Sequence, residues 1–88
     1  MKQIVFSTSF RKAYRERIVL HPHLVKLFRK KFKIFKSKDQ VELYIHALGG
    51  RMTGQSAFFL DYDLRLVFKE TKNSYIFIDI GTHPQVYQ

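Results

Sequence analysis

Residues 56–80 decide the fold and read SAFFLDYDLRLVFKETKNSYIFIDI. Phe, Tyr, Val, Ile and Leu crowd into three runs, 56–60, 64–70 and 75–80, which is typical of β-strands. The polar connection 71–74 predicts a hairpin between the last two strands. The stretch therefore predicts a small antiparallel sheet in the second half of the chain.

Two amphipathic helices precede these strands. The first begins after N-cap candidates at Ser7–Ser9. One face of it follows helical spacing and consists of Phe10, Ala13, Tyr14, Arg17 and Ile18. Pro22 breaks this helix and suits the first turn of the next one, which is predicted from about 22 to 36. The apolar stripe of the second helix consists of Leu24, Leu27, Phe28, Phe32 and Phe35. A connection this short predicts an antiparallel helical hairpin.

The remaining segments complete an α+β fold. Residues 2–6 are predicted as an N-terminal strand, and residues 41–48 as extended for at least part of their length. We expect the helical hairpin to pack on one face of a small, twisted antiparallel sheet. A chain of 88 residues is expected to form a single domain over 1–88.

Composition excludes several kinds of chemistry. The chain has no cysteine, and therefore no disulfide, thiolate metal site or cysteine nucleophile. Its uncharged apolar runs fall far short of the roughly 20 residues that span a bilayer. The start lacks a signal-peptide core, so we expect a cytoplasmic protein. The net charge of +9 favours a polyanionic partner, nucleic acid first, with an anionic membrane or an acidic protein as the other options.

Four histidines are the candidates for acid–base work near neutral pH. His21 and His23 flank Pro22 in the turn between the helices, and we expect them to be exposed. His46 and His83 each lie near glycine at the end of a predicted strand, where functional side chains often project. A polar or capping role in a loop is the alternative for both.

Asp63 and Arg65 form a second group. If both lie in extended chain, strand alternation places them on one face of the sheet, opposite Leu64, Leu66 and Phe68. They then form either a surface ion pair or part of an anion-binding surface on which Arg65 holds a phosphate.

Cleavage of RNA by its own 2′-hydroxyl needs three parts. A base takes the proton of the hydroxyl, an acid protonates the leaving oxygen, and a cation stabilises the phosphate without any required metal or cofactor. The residues that could supply these parts are His46, His83, Asp63, Arg65 and Arg51.

Short motifs occur in order along nearly the whole chain. They lie at 6–12 (FSTSFRK), 46–50 (HALGG), 54–56 followed by 61–68 (DYDLRLVF), and 78–87 (IDIGTHPQVY). In this order the chain resembles the RelE/ParE superfamily of bacterial type II toxins, and most nearly its YafQ-like and RelE/StbE-like branch. The resemblance implies a toxin that cleaves mRNA on the ribosome and is neutralised by a cognate antitoxin.

The resemblance also assigns roles within the candidate site. It implies His46 as general base, His83 as general acid and Arg65 as a phosphate ligand. Asp63 matches an active-site aspartate of the YafQ-like members and is the alternative base. Those members carry a histidine four residues before this aspartate, where the present chain has Phe59, so the choice of base stays open.

Further residues are expected to bind RNA. The resemblance implies that Tyr87 stacks on a base, with Arg51 assisting. The basic helix at 26–38, including Lys26, Lys30 and Lys33, is a candidate contact for ribosomal RNA or for an acidic antitoxin segment. A merely solvated helix face is the alternative.

Two rival functions remain at this level. A ParE-like toxin would inhibit DNA gyrase by protein binding, although that class usually lacks the histidine-bearing set to which His46 and His83 belong. A basic RNA-binding module without catalysis is supported by the charge alone.

Overall fold

The protein has an α+β fold, seen in a computed structural model that describes residues 2–37 and 40–87. In chain order the elements are β1 (Gln3–Phe6), α1 (Thr8–Arg17), α2 (Pro22–Lys36), β2 (His46–Ala47), β3 (Ser56–Phe59), β4 (Leu64–Glu70), β5 (Ser74–Thr82) and α3 (His83–Val86). Short 3₁₀ turns precede and follow β2. Within the described ranges, no helix combines the length and the apolar character needed to span a membrane.

The strands form one sheet in the order β1-β5-β4-β3-β2. Antiparallel pairing joins β2 to β3, β3 to β4 and β4 to β5. The last of these pairs confirms the predicted hairpin between β4 and β5. β1 instead runs parallel to β5, so the sheet is mixed and the expectation of a wholly antiparallel sheet is wrong at this pair. The chain leaves β1 through α1 and α2 and returns only at β5, so no tight turn imposes the antiparallel direction.

The helical hairpin covers one face of the sheet and buries the main core there. Phe35 lies at the centre of this core and is 1% exposed. Its ring centroid lies between 4.9 and 6.2 Å from the rings of Phe32, Phe58, Phe68, Tyr75 and Phe77. The whole predicted stripe of α2 packs in this cluster, which confirms the orientation of the helix.

A smaller apolar cluster lies on the opposite face. Ala57, Val67 and Val86 are buried there, with Leu48, Met52 and Tyr87 packed against them. The one-turn helix α3 thereby covers part of this face, an element absent from the sequence-based expectation. As predicted, Leu64, Leu66 and Phe68 face the helices, and β4 alternates between the two clusters.

Side chains of α1 cap the edge of β5 beyond the end of β1. Ser9 Oγ donates to the carbonyl of Ile78 at 2.8 Å, and Arg17 Nη1 donates to that of Ile80 at 3.0 Å. Backbone acceptors at a sheet edge require partners when they are shielded from water. These bonds therefore tie the helical layer to the strand segment that leads into α3.

The segment before β2 departs from the predicted extended stretch 41–48. Only His46–Ala47 pairs as a strand, because Gln40–Leu43 forms a 3₁₀ turn and Tyr44 adopts a left-handed backbone with φ of 54°. The expectation of partial extension is thus confirmed for two residues. Lys38, at the end of the predicted basic helix, lies outside the described residues.

The central position of Phe35 gives the first prediction. Phe35→Ala is expected to lower the free energy of unfolding by about 3–5 kcal/mol, because the ring fills the centre of the aromatic core. Urea denaturation measures the change. Leu20→Ala is the matched control, since Leu20 is 78% exposed, and a change within about 0.5 kcal/mol is expected for it. Equal losses in the two variants would contradict the central role of Phe35.

Candidate active site

The ends of four strands lie side by side at one end of the sheet. β2 and β4 begin there, while β3 and β5 end there. The register places Phe59 opposite Arg65 and Leu64 opposite Thr82. Because His46 pairs with Ala57, two residues before Phe59, His46 lies on the same face as Phe59 and Arg65.

Side chains at this end of the sheet form a continuous cluster, here called the aromatic–cation cluster. Its members are His46, Phe59, Arg65, Tyr87 and His83. The ring of His46 stacks on Phe59 with centroids 5.6 Å apart and an interplanar angle of 29°. Arg65 Cζ lies 4.8 Å from the centroid of Phe59 and 5.6 Å from that of Tyr87. The Tyr87 ring meets His83 edge-on at 4.7 Å. The structure thus links the two predicted histidines through one guanidinium.

Arg65 holds an uncompensated positive charge in this cluster. The ion pairs formed among residues 2–37 and 40–87 are Lys2–Glu70 and Arg17–Asp79, neither of which involves Arg65. Its one hydrogen bond to another described residue runs from Nη1 to the backbone carbonyl of Asp63 at 3.4 Å. Two aromatic rings contact the guanidinium without neutralising its charge, so its N–H groups are suited to a phosphate.

Asp63 lies in the loop before β4 rather than in the strand. Its backbone N–H and that of Leu64 donate to the carboxylate of Asp61 at 3.0 and 2.9 Å, which fixes the loop. The exposed Asp63 carboxylate forms no ion pair with Arg65 in the described structure. The ion-pair interpretation of these two residues is therefore wrong.

The short helix α3 positions His83 and Tyr87. The two residues are one helical turn apart, and Tyr87 N–H donates to the His83 carbonyl at 2.9 Å. At the start of the helix, the Gln85 side chain accepts from Thr82 N–H at 2.8 Å, as in a capping box. Val86, 8% exposed, anchors the helix on the sheet.

A support behind α3 was missed by the sequence analysis. A Cβ atom at Gly81 would lie 2.7 Å from Gln85 Oε1 and 2.8 Å from Arg17 Nη1, so only glycine fits there without displacing them. The same Nη1 donates to Asp79 Oδ1 and to the Ile80 carbonyl, each at 3.0 Å. An arginine within the otherwise apolar stripe of α1 was the signal that could have revealed this contact.

Burial raises the pKa of the Asp79 carboxyl above its usual value of 3.8. The hydrogen bond from Ile80 N–H and the charge of Arg17 oppose that effect without cancelling it. Asp79 is therefore a partly desolvated carboxylate held in place by its partners.

Other predicted site residues lie away from the aromatic–cation cluster. Arg51 is exposed in the 3₁₀ turn after β2. Lys26, Lys30 and Lys33 are exposed on α2, which packs on the other face of the sheet. The structure therefore separates the basic helix from the histidine pair.

His21 and His23 are exposed in the turn between α1 and α2, as predicted. Their ring centroids are 6.2 Å apart. Among the residues that the structure describes, no three His, Asp or Glu side chains are grouped to hold a metal ion. These two histidines serve as an external reference for experiments on the site.

The fold is similar to that of bacterial toxins of known structure, as three comparisons show. YafQ from E. coli strain BL21(DE3) superposes with a TM-score of 0.82 at 17% identity over 100% of both chains. A copper-bound mutant toxin from Helicobacter pylori gives 0.80 at 18% identity, over 98% of this chain and 99% of that one. A chain of the E. coli DinJ–YafQ toxin–antitoxin complex gives 0.79 at 18% identity, over 99% and 98%.

Comparison of sequences gives no match, in contrast to comparison of structures. No family model matches the chain, and no curated protein matches it. At the identities given above, the structural likeness establishes the expected fold alone.

The burial of Asp79 gives the second prediction. Because its pKa is raised on folding, the native state binds this proton more tightly than the unfolded chain. The stability of the wild-type protein, measured relative to that of Asp79→Asn, should therefore be greatest at acidic pH. This relative stability should fall as pH rises above 3.8. Thermal unfolding midpoints of both proteins, from about pH 3 to pH 7, measure the difference. A wild-type advantage that instead grows with pH would show that Arg17 outweighs burial.

Proposed function

We propose that this chain is the toxin of a type II toxin–antitoxin system and that it cleaves mRNA on the ribosome. The observation that carries the proposal is the aromatic–cation cluster, in which two imidazoles are linked through aromatic rings to a guanidinium that has no carboxylate partner among the described residues. These are the base, the acid and the cation that the 2′-hydroxyl reaction requires.

Arg65 binds the scissile phosphate in this mechanism. Its N–H groups form charge-assisted bonds to the non-bridging oxygens, and they stabilise the charge that develops there during attack. Contacts with the rings of Phe59 and Tyr87 limit the movement of the guanidinium and so help to orient these donors.

His46 acts as the general base and His83 as the general acid. The Nδ1 atom of His46 lies 3.2 Å from the Tyr44 carbonyl, which leaves Nε2 to take the proton of the 2′-hydroxyl. The 2′-oxygen bonds to phosphorus, the bond to the 5′-oxygen breaks, and protonated His83 donates to that oxygen. The products are a 2′,3′-cyclic phosphate and a 5′-hydroxyl end.

Asp63 is the less favoured base. Its carboxylate is exposed, and it reaches the cluster through its backbone carbonyl rather than through its side chain. His46, by contrast, stacks directly on the ring that contacts Arg65. An accessory role for Asp63 in substrate binding is consistent with its place beside Arg65.

The basic helix is proposed as a separate contact with ribosomal RNA. Lys26, Lys30 and Lys33 project from the helical layer, on the side of the molecule away from the cluster. A chain of net charge +9 can thus bind ribosomal RNA with one surface and mRNA with another. Arg51, exposed after β2, is proposed to assist at the mRNA surface.

An antitoxin protein is the proposed regulatory partner. A structurally similar chain occurs in a complex described as toxin–antitoxin, DinJ–YafQ. The strong positive charge of the present chain suits an acidic partner segment, and that segment would compete with RNA for the same surfaces.

The third prediction tests the nuclease directly. Induction of the chain in a bacterial host, with mapping of mRNA 5′ ends, should reveal new in-frame cleavages. His46→Ala and His83→Ala should each lower cleavage by about 10²- to 10⁴-fold, because each removes one proton-transfer group. His21→Ala, an exposed histidine outside the site, is the matched control and should cleave like wild type.

Other outcomes would overturn this proposal in favour of a named rival. Growth arrest with intact mRNA and a DNA-damage response would indicate gyrase inhibition of the ParE type. RNA binding without cleavage or toxicity would indicate a non-catalytic basic module. Cleavage that persists in both histidine variants would be consistent with a nuclease toxin but would refute the roles proposed for His46 and His83.

The fourth prediction concerns Phe59, which contacts both His46 and Arg65. Phe59→Leu keeps an apolar side chain but removes the ring, so cleavage should fall by about ten- to a hundredfold through loss of alignment. Because Phe59 is 39% exposed, the thermal midpoint should change little. Val5→Leu, on an equally exposed residue of β1, is the control for both measurements. Unchanged cleavage in Phe59→Leu would refute the positioning role.

A further inference from the structure

Tyr44 has the one positive φ angle found outside glycine in the described residues, at 54°. Such a left-handed backbone is sterically unfavourable for tyrosine, and glycine or asparagine adopts it more readily. The Tyr44 side chain is 79% exposed, so side-chain burial does not compensate for the conformation. The feature therefore calls for an explanation in the backbone itself.

Core packing on both sides holds Tyr44 in this conformation. Leu43 is 1% exposed in the main core, and Ile45 packs against the same core. The Tyr44 N–H also closes the preceding turn by donating to the Val41 carbonyl at 3.3 Å. The chain is thereby turned so that the Tyr44 carbonyl lies 3.2 Å from Nδ1 of His46.

We propose that Tyr44 is a positioning residue whose left-handed backbone selects the tautomer of His46. A carbonyl oxygen can only accept, so the imidazole nitrogen that faces it must carry the proton. Nδ1 is then protonated in the neutral ring, and Nε2 is the free acceptor. The consequence for catalysis rests on the proposed function, whereas the tautomer itself does not.

Stacking on Phe59 does not supply the same selection. A rotation of the His46 ring by half a turn about its Cβ–Cγ bond puts Cδ2 in the place of Nδ1 and Cε1 in the place of Nε2 yet preserves the stacked plane, so Phe59 fixes the orientation of the plane alone. The Tyr44 carbonyl distinguishes the two flipped states, because Nδ1 is the ring nitrogen in contact with it. The two neighbours therefore perform complementary tasks.

Three proteins test the proposal: wild type, Tyr44→Asn and Tyr44→Val. Asparagine tolerates the left-handed conformation, whereas a β-branched residue strongly disfavours it. Nitrogen-15 NMR of the His46 ring in alkaline buffer, where the imidazole is neutral, reports which nitrogen carries the proton. We expect a single Nδ1–H tautomer in wild type and in Tyr44→Asn, and a mixture of tautomers in Tyr44→Val.

RNA cleavage by the same proteins gives the second measurement. Tyr44→Asn should cleave at the wild-type rate, and Tyr44→Val should lose about tenfold or more because part of its His46 presents the wrong nitrogen. An Nε2–H tautomer in wild type would overturn the proposal even if Tyr44→Val fails to fold. So would an unchanged single tautomer in a folded Tyr44→Val. If the tautomers follow the prediction but wild type cleaves no RNA, the proposed function fails and the positioning role of Tyr44 stands.

Discussion

The packing of Phe35 against five aromatic rings is the interaction on which the rest of the molecule depends. It concentrates the bulky apolar volume between the helical hairpin and one face of the sheet. The other face then needs only the small cluster around Val67 and α3 for cover. A short chain can therefore leave one end of that face open to solvent and still retain a core.

The register of the strands places the candidate site on the face of the sheet that the helical hairpin leaves open. On β4, the residues that face the helices alternate with those that face outward, so the burial of Leu64 and Leu66 places Arg65 on the open face. The antiparallel pairing of β3 with β4 then places Phe59 beside Arg65. The chain continues from the end of β5 into α3, which carries His83. A slip of one residue would send Arg65 into the aromatic core. The site and the core thus depend on the same register.

The sequence predicted what depends on local pattern. Period-two alternation located β4 and the outward direction of Arg65, and helical spacing located the stripe of α2 that carries Phe35. The histidines at 46 and 83 were selected by their place near glycine and by family resemblance. It did not predict the contact of Arg17 with Asp79, because those residues lie far apart along the chain and only the packing of α1 against the edge of β5 brings them together. The parallel direction of β1 and the left-handed Tyr44 were missed for the same reason, since long-range packing determines both.

Phe59 shows how a departure from a family pattern changes the physics of a site. A histidine at this position, as in the YafQ-like members that the chain resembles, would add a titratable group beside Arg65. A phenylalanine adds none, and it instead provides a surface against which His46 stacks and over which Arg65 lies. Aromatic faces attract a guanidinium through their quadrupole without neutralising its charge. Arg65 is therefore held by contacts that leave its full charge available to a phosphate.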